Sequence, residues 1–310
     1  MTARPETAVS NLRSLGIELE TGTVGRLRDS TELLADASGL RARMSSEGYL
    51  YLPGLLRRPE VLAARREILE RLDKEGLLDQ TADLMDGKIR PGVKSAFRPD
   101  LTRQNAALEQ LLYHGPLLGL FELFLGGPVR HLDYTWLRVI SPGLGTPSHM
   151  DSVYMNRGTS ELYTAWVPLG DVDFTLGGLI MLESSNNNRR LVETYGMRDV
   201  DTYCQNKPEA PTWVEETNGH LNGDPNQIRR SVGKGIDGRD GRWLTTEYKA
   251  GDVLVFSIFT VHASLDNQTA DRLRISSDSR YQLAGLPVDE RWIGENPIAH
   301  GKNAKKGLIC

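Results

Sequence analysis

Gly251-Asp-Val-Leu-Val-Phe-Ser-Ile-Phe-Thr-Val-His262 is the stretch whose reading decides the fold. The apolar run Val253–Phe259 follows a Gly-Asp turn, is rich in β-branched and aromatic residues, and falls far short of the roughly 20 residues of a membrane helix. It reads as a buried strand with His262 at its end. Leu132–Ile140, Leu162–Pro168, Gly178–Glu183 and Arg272–Leu283 have the same character, each bounded by Gly, Pro, Asp or Asn. Upstream the period changes. Leu33, Leu34, Ala37, Leu40 and Met44 recur at helical spacing until Gly48, and Gly48-Tyr-Leu-Tyr-Leu-Pro-Gly54 alternates as a short strand. Pro59 opens a helix whose stripe is Val61, Leu62, Arg65, Ile68, Leu69 and Leu72 and which Gly76 closes. Two more helices are expected over Asn105–Tyr113 and Leu117–Leu125. Helices first and strands later predict α+β architecture, an antiparallel sandwich or barrel with helices packed against it.

The chain of 310 residues is expected to be a single domain: 1–130 mainly helical with 1–30 loosely ordered, 131–285 the strand-rich core, 286–310 a tail. Residues 184–248, with Asn186-Asn-Asn188, many glycines and the scattered Trp213 and Trp243, exceed an ordinary connection and read as an insertion. Thirty-seven Lys and Arg against 41 Asp and Glu, without a basic stripe, give no footprint for nucleic acid or an acidic membrane. No apolar leader segment and no membrane span are visible, so a cytoplasmic protein acting on a small molecule is expected. Cys204 and Cys310 have no CxxC partners, which argues against a disulfide framework and a thiolate zinc site; Cys204 is a weak nucleophile candidate.

The chemistry centres on His149-Met150-Asp151. On an extended backbone residues i and i+2 share a side, so an imidazole and a carboxylate can meet one point. A second imidazole completes a set that leaves three positions of an iron open, and of the six histidines His262 is the best placed. Beyond it, Arg274, Ser276, Asp278 and Arg280 share one face of the last strand. A guanidinium there suits the distal carboxylate of a dicarboxylate such as 2-oxoglutarate, whose keto-acid end chelates iron. His131-Leu132-Asp133 has the same spacing but no preceding strand to bring it against His262, and reads as an edge-strand histidine bonded locally. His220, among Asn and Gly, reads as a solvated loop residue.

In this order the motifs resemble the phytanoyl-CoA dioxygenase family of Fe(II)/2-oxoglutarate oxygenases. The matching pieces are Gly48–Gly54, Ser141-Pro-Gly before His149-Met-Asp, Thr164-Ala-Trp-Val-Pro-Leu169, Gly177-Gly-Leu-Ile-Met-Leu-Glu-Ser184, Gly251-Asp-Val, His262-Ala-Ser264, and Arg274 with Arg280-Tyr281. The resemblance implies a double-stranded β-helix (a cupin-like jelly roll) with the N-terminal helices outside it. It implies iron ligation by His149, Asp151 and His262, with Arg274 on the distal carboxylate of 2-oxoglutarate. Ser264 and Trp166 match further cosubstrate contacts, as do Leu137, Thr146 and Asn156. One departure is that His262 to Arg274 is a residue longer than the commonest spacing, with Arg272 nearby; the rhythm of Ser276, Asp278, Arg280 and Tyr281 selects Arg274.

The expected reaction consumes O2 and 2-oxoglutarate, releases succinate and CO2, and hydroxylates an unactivated C–H bond of a small metabolite or natural-product intermediate. Desaturation, epoxidation or cyclisation are alternative outcomes; a silent binding protein and a metal-dependent isomerase or hydrolase are the readings from other classes. Related halogenases carry a small residue where Asp151 stands, so halogenation is disfavoured. Trp136, Arg138, Tyr154, Met155 and Arg157 flank the motif and are candidates to shape the substrate pocket, with plain structural roles as the competing reading.

Overall fold

The computed structural model describes residues 11–207, 217–232 and 240–310. In chain order the strands are β1 (Arg13–Ser14), β2 (Ile17–Glu18), β3 (Val24–Arg26), β4 (Tyr49–Leu52), β5 (Val129–His131), β6 (Trp136–Ile140) and β7 (Tyr163–Pro168). They continue with β8 (Leu179–Leu182), β9 (Thr202–Cys204), β10 (Trp243–Thr245), β11 (Val253–Ser257), β12 (His262–Ser264), β13 (Arg274–Leu283) and β14 (Lys306–Leu308). The helices are α1 (Ala37–Glu47), α2 (Arg58–Lys74), α3 (Ala106–Tyr113), α4 (Gly115–Leu125) and α5 (Arg189–Thr194), with a further short helix over Pro225–Ser231.

Two sheets make the core. The larger runs β4-β11-β7-β13-β5, with β6 beside β5 on the same flank of β13. The smaller runs β12-β8-β10-β3. Trp166, Leu254 and Phe256 of the first pack against Leu179, Met181 and Leu244 of the second, so the sheets face each other across a filled interior. This is the expected jelly roll.

β13 is the long strand that organises it. Its period of two sends Ile275 and Tyr281 into the apolar cluster shared with the helices, where the Tyr281 hydroxyl donates to the Leu112 carbonyl of α3 at 2.6 Å. Arg274, Ser276, Asp278 and Arg280 face the other way, between the sheets. The helices form where the apolar spacing placed them. Asp36 and Asn105 cap α1 and α3 by accepting from Gly39 and Leu108. Gly48 ends α1 at φ +79°. Val61, Ala64, Ile68, Leu69 and Leu72 of α2 are fully buried against the outer face of the large sheet.

Three expectations are corrected. The described part of 1–30 is ordered: β1 and β2 pair, and β3 runs parallel to β10 as an edge of the small sheet. β10 lies within the span read as an insertion, yet it pairs with β8 and buries Trp243 completely, so that span ends before it. Trp213 lies outside the described residues. Cys204 and Cys310 form a disulfide across 106 residues, joining the insertion to the C-terminal segment; spacing cannot show a pair so distant. That segment carries the buried Trp292 and the strand β14, so it is structured. Among the described residues no helix is long and apolar enough to cross a membrane.

Gly177 lets β8 approach the chain beyond β12. Its φ is +77°, and a Cβ there would lie 2.5 Å from the Asp266 carbonyl oxygen. Gly177→Ala should destabilise by about 2 kcal/mol or more, whereas Gly223→Ala, with open space around it, should shift a urea midpoint little.

Candidate metal centre

The two histidines are brought together by backbone, before any side chain acts. His149 and His262 exchange both amide bonds, each N–H donating to the other's carbonyl at 3.0 Å. This antiparallel bridge seats the imidazoles side by side, ring centres 4.2 Å apart. His149 lies in a short extended segment, and Asp151 opens the turn Asp151–Val153 directly after it. The carboxylate nevertheless comes to the same point: Asp151 Oδ1 lies 3.6 Å from His149 Nε2 and 3.7 Å from His262 Nε2. All three residues are buried, and they are the one His/Cys/Asp/Glu group with metal-ligating geometry among the described residues.

Each imidazole is held in the ligating tautomer. His149 Nδ1 bonds the Pro147 carbonyl at 2.8 Å and His262 Nδ1 the Thr260 carbonyl at 3.0 Å. A carbonyl only accepts, so both Nδ1 atoms carry the proton and both Nε2 lone pairs face the centre. Burial, then the adjacent His149, pushes the His262 pKa down to about 3. Burial opposes ionisation of Asp151, but Arg280 and the two imidazoles outweigh it and hold the carboxyl well below its usual range. Neutral imidazole and ionised carboxylate are the forms a metal takes.

The far oxygen of Asp151 is committed elsewhere. Oδ2 accepts from Thr164 Oγ1 at 2.5 Å and from Arg280 Nη2 at 2.9 Å, and Arg280 also donates from Nε to Thr164 at 3.2 Å. The guanidinium lies 4.0 Å from the Trp136 ring centre. These contacts leave Oδ1 as the free ligand atom, a one-oxygen carboxylate. Alternation along β13 placed Arg280 on Arg274's face; its bond to Asp151 depends on β7 and β13 being neighbours.

Arg274 is the second decisive feature. It is fully buried, its Nη2 reaches Ser264 Oγ at 3.5 Å, and its Nε and Nη1 have no partner. Trp166 Nε1 and Ser276 Oγ, on inward-facing positions of β7 and β13, are unpartnered too. Ser264 is tied to Thr146, whose N–H donates to its Oγ at 2.8 Å. A desolvated guanidinium without a counter-ion costs several kcal/mol, and burial lowers its pKa to about 10. A dicarboxylate's distal end fits that cradle. Arg272 points elsewhere and pairs with Asp173 at 2.9 Å.

The remaining expectations divide. Thr146, Trp136, Arg138, Tyr154 and Met155 line a cavity of about 290 Å³ that also contains His149 and Asp151. Arg138 pairs there with Asp278 at 2.8 Å. Leu137 packs in the cluster on the helix side, the opposite face of β6 from Trp136 and Arg138, so its side chain does not reach the pocket. Asn156 donates to the Arg198 carbonyl and is not part of the cavity wall. Arg157 pairs with Asp199. His220 is not a solvated loop residue: it lines the cavity, 6.0 Å from the His149 ring, and burial pushes its pKa down to about 4. His300 lines it as well, from the C-terminal segment, and nothing local in the sequence announces it. His131 stacks on Tyr113 at 4.0 Å and bonds the Leu132 carbonyl. With Asp133 it borders a separate, larger depression of about 1000 Å³.

Residues 44–276 match the family described as phytanoyl-CoA dioxygenase (PhyH), about three-quarters of the chain. The chain belongs to the phytanoyl-CoA dioxygenase family. As a member it is a 2-oxoglutarate-dependent non-haem iron dioxygenase. Similar to this family member are two curated proteins named 1-deoxypentalenic acid 11-beta-hydroxylase. The one from Streptomyces exfoliatus is 27% identical over 302 residues, covering 93% of this chain and 96% of that protein; the one from Streptomyces arenae is 26% identical with the same coverage. The crystal structure of the non-heme alpha ketoglutarate dependent carbocyclase SnoK from nogalamycin biosynthesis has the same fold, with TM-score 0.57 and 20% identity over 84% of this chain and 90% of that one.

The Arg280–Thr164 clamp on Asp151 should matter for metal retention. Arg280→Gln and Thr164→Val are expected to weaken Co(II) or Fe(II) binding roughly 10- to 100-fold with the fold intact, as read by equilibrium dialysis and circular dichroism.

Proposed function

We propose that His149, Asp151 and His262 hold Fe(II), that Arg274 anchors the distal carboxylate of 2-oxoglutarate, and that the protein hydroxylates a compact natural-product intermediate. The observation that carries the reading is the pairing of a pre-formed His-Asp-His set with a buried arginine lacking an anion. When bound, iron and 2-oxoglutarate supply oxidation of a C–H bond at the expense of O2, with succinate and CO2 as co-products.

The chain's own residues bind and orient. Ser264, fixed by Thr146, and the Trp166 indole N–H stand beside Arg274 as further donors within the dry interior. Asp151 would offer Oδ1 to the metal, and a carboxylate at this position favours hydroxylation over halogenation. Phe97, Trp136, Tyr154 and Met155 give one part of the cavity an aromatic and apolar lining, beside the polar Arg138, Asn218, His220 and His300, suited to an organic skeleton that carries polar groups and turns one C–H bond toward the centre. The two curated relatives are named as hydroxylases of a carboxylic acid, which supports the reaction type and a small natural-product acid as the substrate class.

The test has a binding part and a product part. Under anaerobic conditions Fe(II) with 2-oxoglutarate should give a weak visible charge-transfer band, and its absence from folded protein overturns the cofactor roles. Arg274→Ala should raise the Kd for 2-oxoglutarate on the order of 100-fold while sparing iron; Arg272→Ala should leave both unchanged. With O2 and a panel of natural-product carboxylic acids that includes 1-deoxypentalenic acid, mass spectrometry should find a product gaining one oxygen. A product that has lost two hydrogens would replace hydroxylation by desaturation or ring closure on the same centre.

A further inference from the structure

One wall of the cavity over the candidate metal centre is supplied by no core strand. His300 reaches it from the C-terminal segment, its ring 5.8 Å from that of Tyr154, which in turn lies 5.6 Å from His149. His300 is held there by the Trp292 ring, centres 4.8 Å apart, and by the insertion. Its Nδ1 bonds Oδ2 of the fully buried Asp201 at 2.8 Å, so Nε2 is the ring nitrogen left for a ligand. Asp201 also accepts from Arg291 at 2.7 Å and Lys305 at 2.9 Å. Burial works against its ionisation, and the bonds from His300 and Lys305 outweigh that and keep it anionic.

The outer end of this segment is held thinly. β14 pairs in parallel with β9 over three residues each, and all three of β14 are exposed. A two-stranded ribbon of that size has little stability alone. The Cys204–Cys310 bond closes it, and Cys310 is exposed to solvent, within reach of a thiol.

We propose that residues 298–310 form a strap that positions His300 as a substrate-contacting wall of the candidate active site, latched by Cys204–Cys310 and released when that bond is reduced. The placement of His300 rests on the functional reading above; the latch does not. Opening takes two electrons and two protons from a dithiol, which leaves as its own disulfide, and yields the thiols of Cys204 and Cys310. With the strap closed, His300 narrows the cavity and offers Nε2 to an oxygen function on the substrate. With it open, water and small molecules reach the centre from that side.

The experiment compares the oxidised protein, the phosphine-reduced protein and Cys310→Ser, each loaded anaerobically with Fe(II) and 2-oxoglutarate. The oxidised protein should show no titratable thiol in guanidinium. In the other two, amide exchange across 298–306 should quicken about tenfold or more. Bleaching of the charge-transfer band by O2 without substrate should quicken several-fold, the band itself being unchanged. His300→Gln, latch intact, should keep slow exchange yet alter the bleaching rate. Two titratable thiols in the oxidised protein, or unchanged exchange after reduction, overturn the latch. Unchanged bleaching in His300→Gln, or unchanged bleaching in the reduced protein despite its faster exchange, overturns the role of His300. A missing band in the oxidised protein would mark failure of the cofactor reading instead, and the thiol and exchange measurements would still decide the latch.

Discussion

Between the two sheets lies a set of charges that the fold cannot solvate. The guanidiniums of Arg138, Arg274 and Arg280 stand against the carboxylates of Asp151 and Asp278, an excess of one positive charge, and Arg274 is the one of the three without a carboxylate partner, its Nε and Nη1 being unpaired. A divalent cation on His149, Asp151 and His262 would add two positive charges close to Arg280. A dicarboxylate on Arg274 would remove two. Loading both therefore returns the interior to its starting balance, whereas loading the metal alone raises the field at every neighbouring guanidinium. The expectation of coupled binding follows from that count, and so does the need for rigidity: charges this close are tolerable only if the strands hold them in register.

The register is supplied mainly by β13. Its inward residues meet one partner strand on each side: Asp278 lies opposite Trp166 of β7 and Trp136 of β6, and Arg280 opposite Thr164. A slip of one residue would send the arginines into the helix-facing apolar cluster and Ile275 and Tyr281 into the site. The packing of Tyr281 on Phe121, ring centres 4.1 Å apart, and its hydrogen bond to α3 therefore protect the geometry of Arg274 and Arg280 on the opposite face. The helical layer is part of the site's support without contributing a ligand.

This is also why the sequence was legible in some places and opaque in others. Periodicity and capping are local, so α1 to α4, β4, β7, β8, β11 and β13 could be placed from their own residues, and the His149-Met-Asp151 spacing with His262 and Arg274 marked the interior. Leu137 was misplaced for want of one fact, the direction of β6: because Arg138 turns inward to Asp278, its neighbour must turn outward. The resemblance draws Asn156 toward the site, but its hydrogen bond goes to the insertion. β3 and β10 are three residues each, too short to carry a pattern, and exist because the edge of the small sheet offers them partners.

Residues far apart along the chain were the least legible. Cys204 and Cys310, or Asp201 and His300, are linked through folds of the insertion and the C-terminal segment, and neither end carries a local signal for the other. Yet these segments, with Asn218 and His220, form the side of the cavity that the core strands leave open. The division has a physical basis. A metal and a dicarboxylate would need fixed charges in a dry, rigid interior, and the residues proposed for them lie on strands (His262, Arg274) or are bridged directly to one (His149, with Asp151 opening the turn after it). Recognition of a varied organic skeleton needs a wall that can change without disturbing that interior, and loops tied down by a few ion pairs and one disulfide provide it. On the proposed reading, the part of the cavity wall free to vary without disturbing the proposed metal and cosubstrate residues is the one built by the segments beyond the β-core, while Trp136 and Arg138 of β6 supply the fixed part.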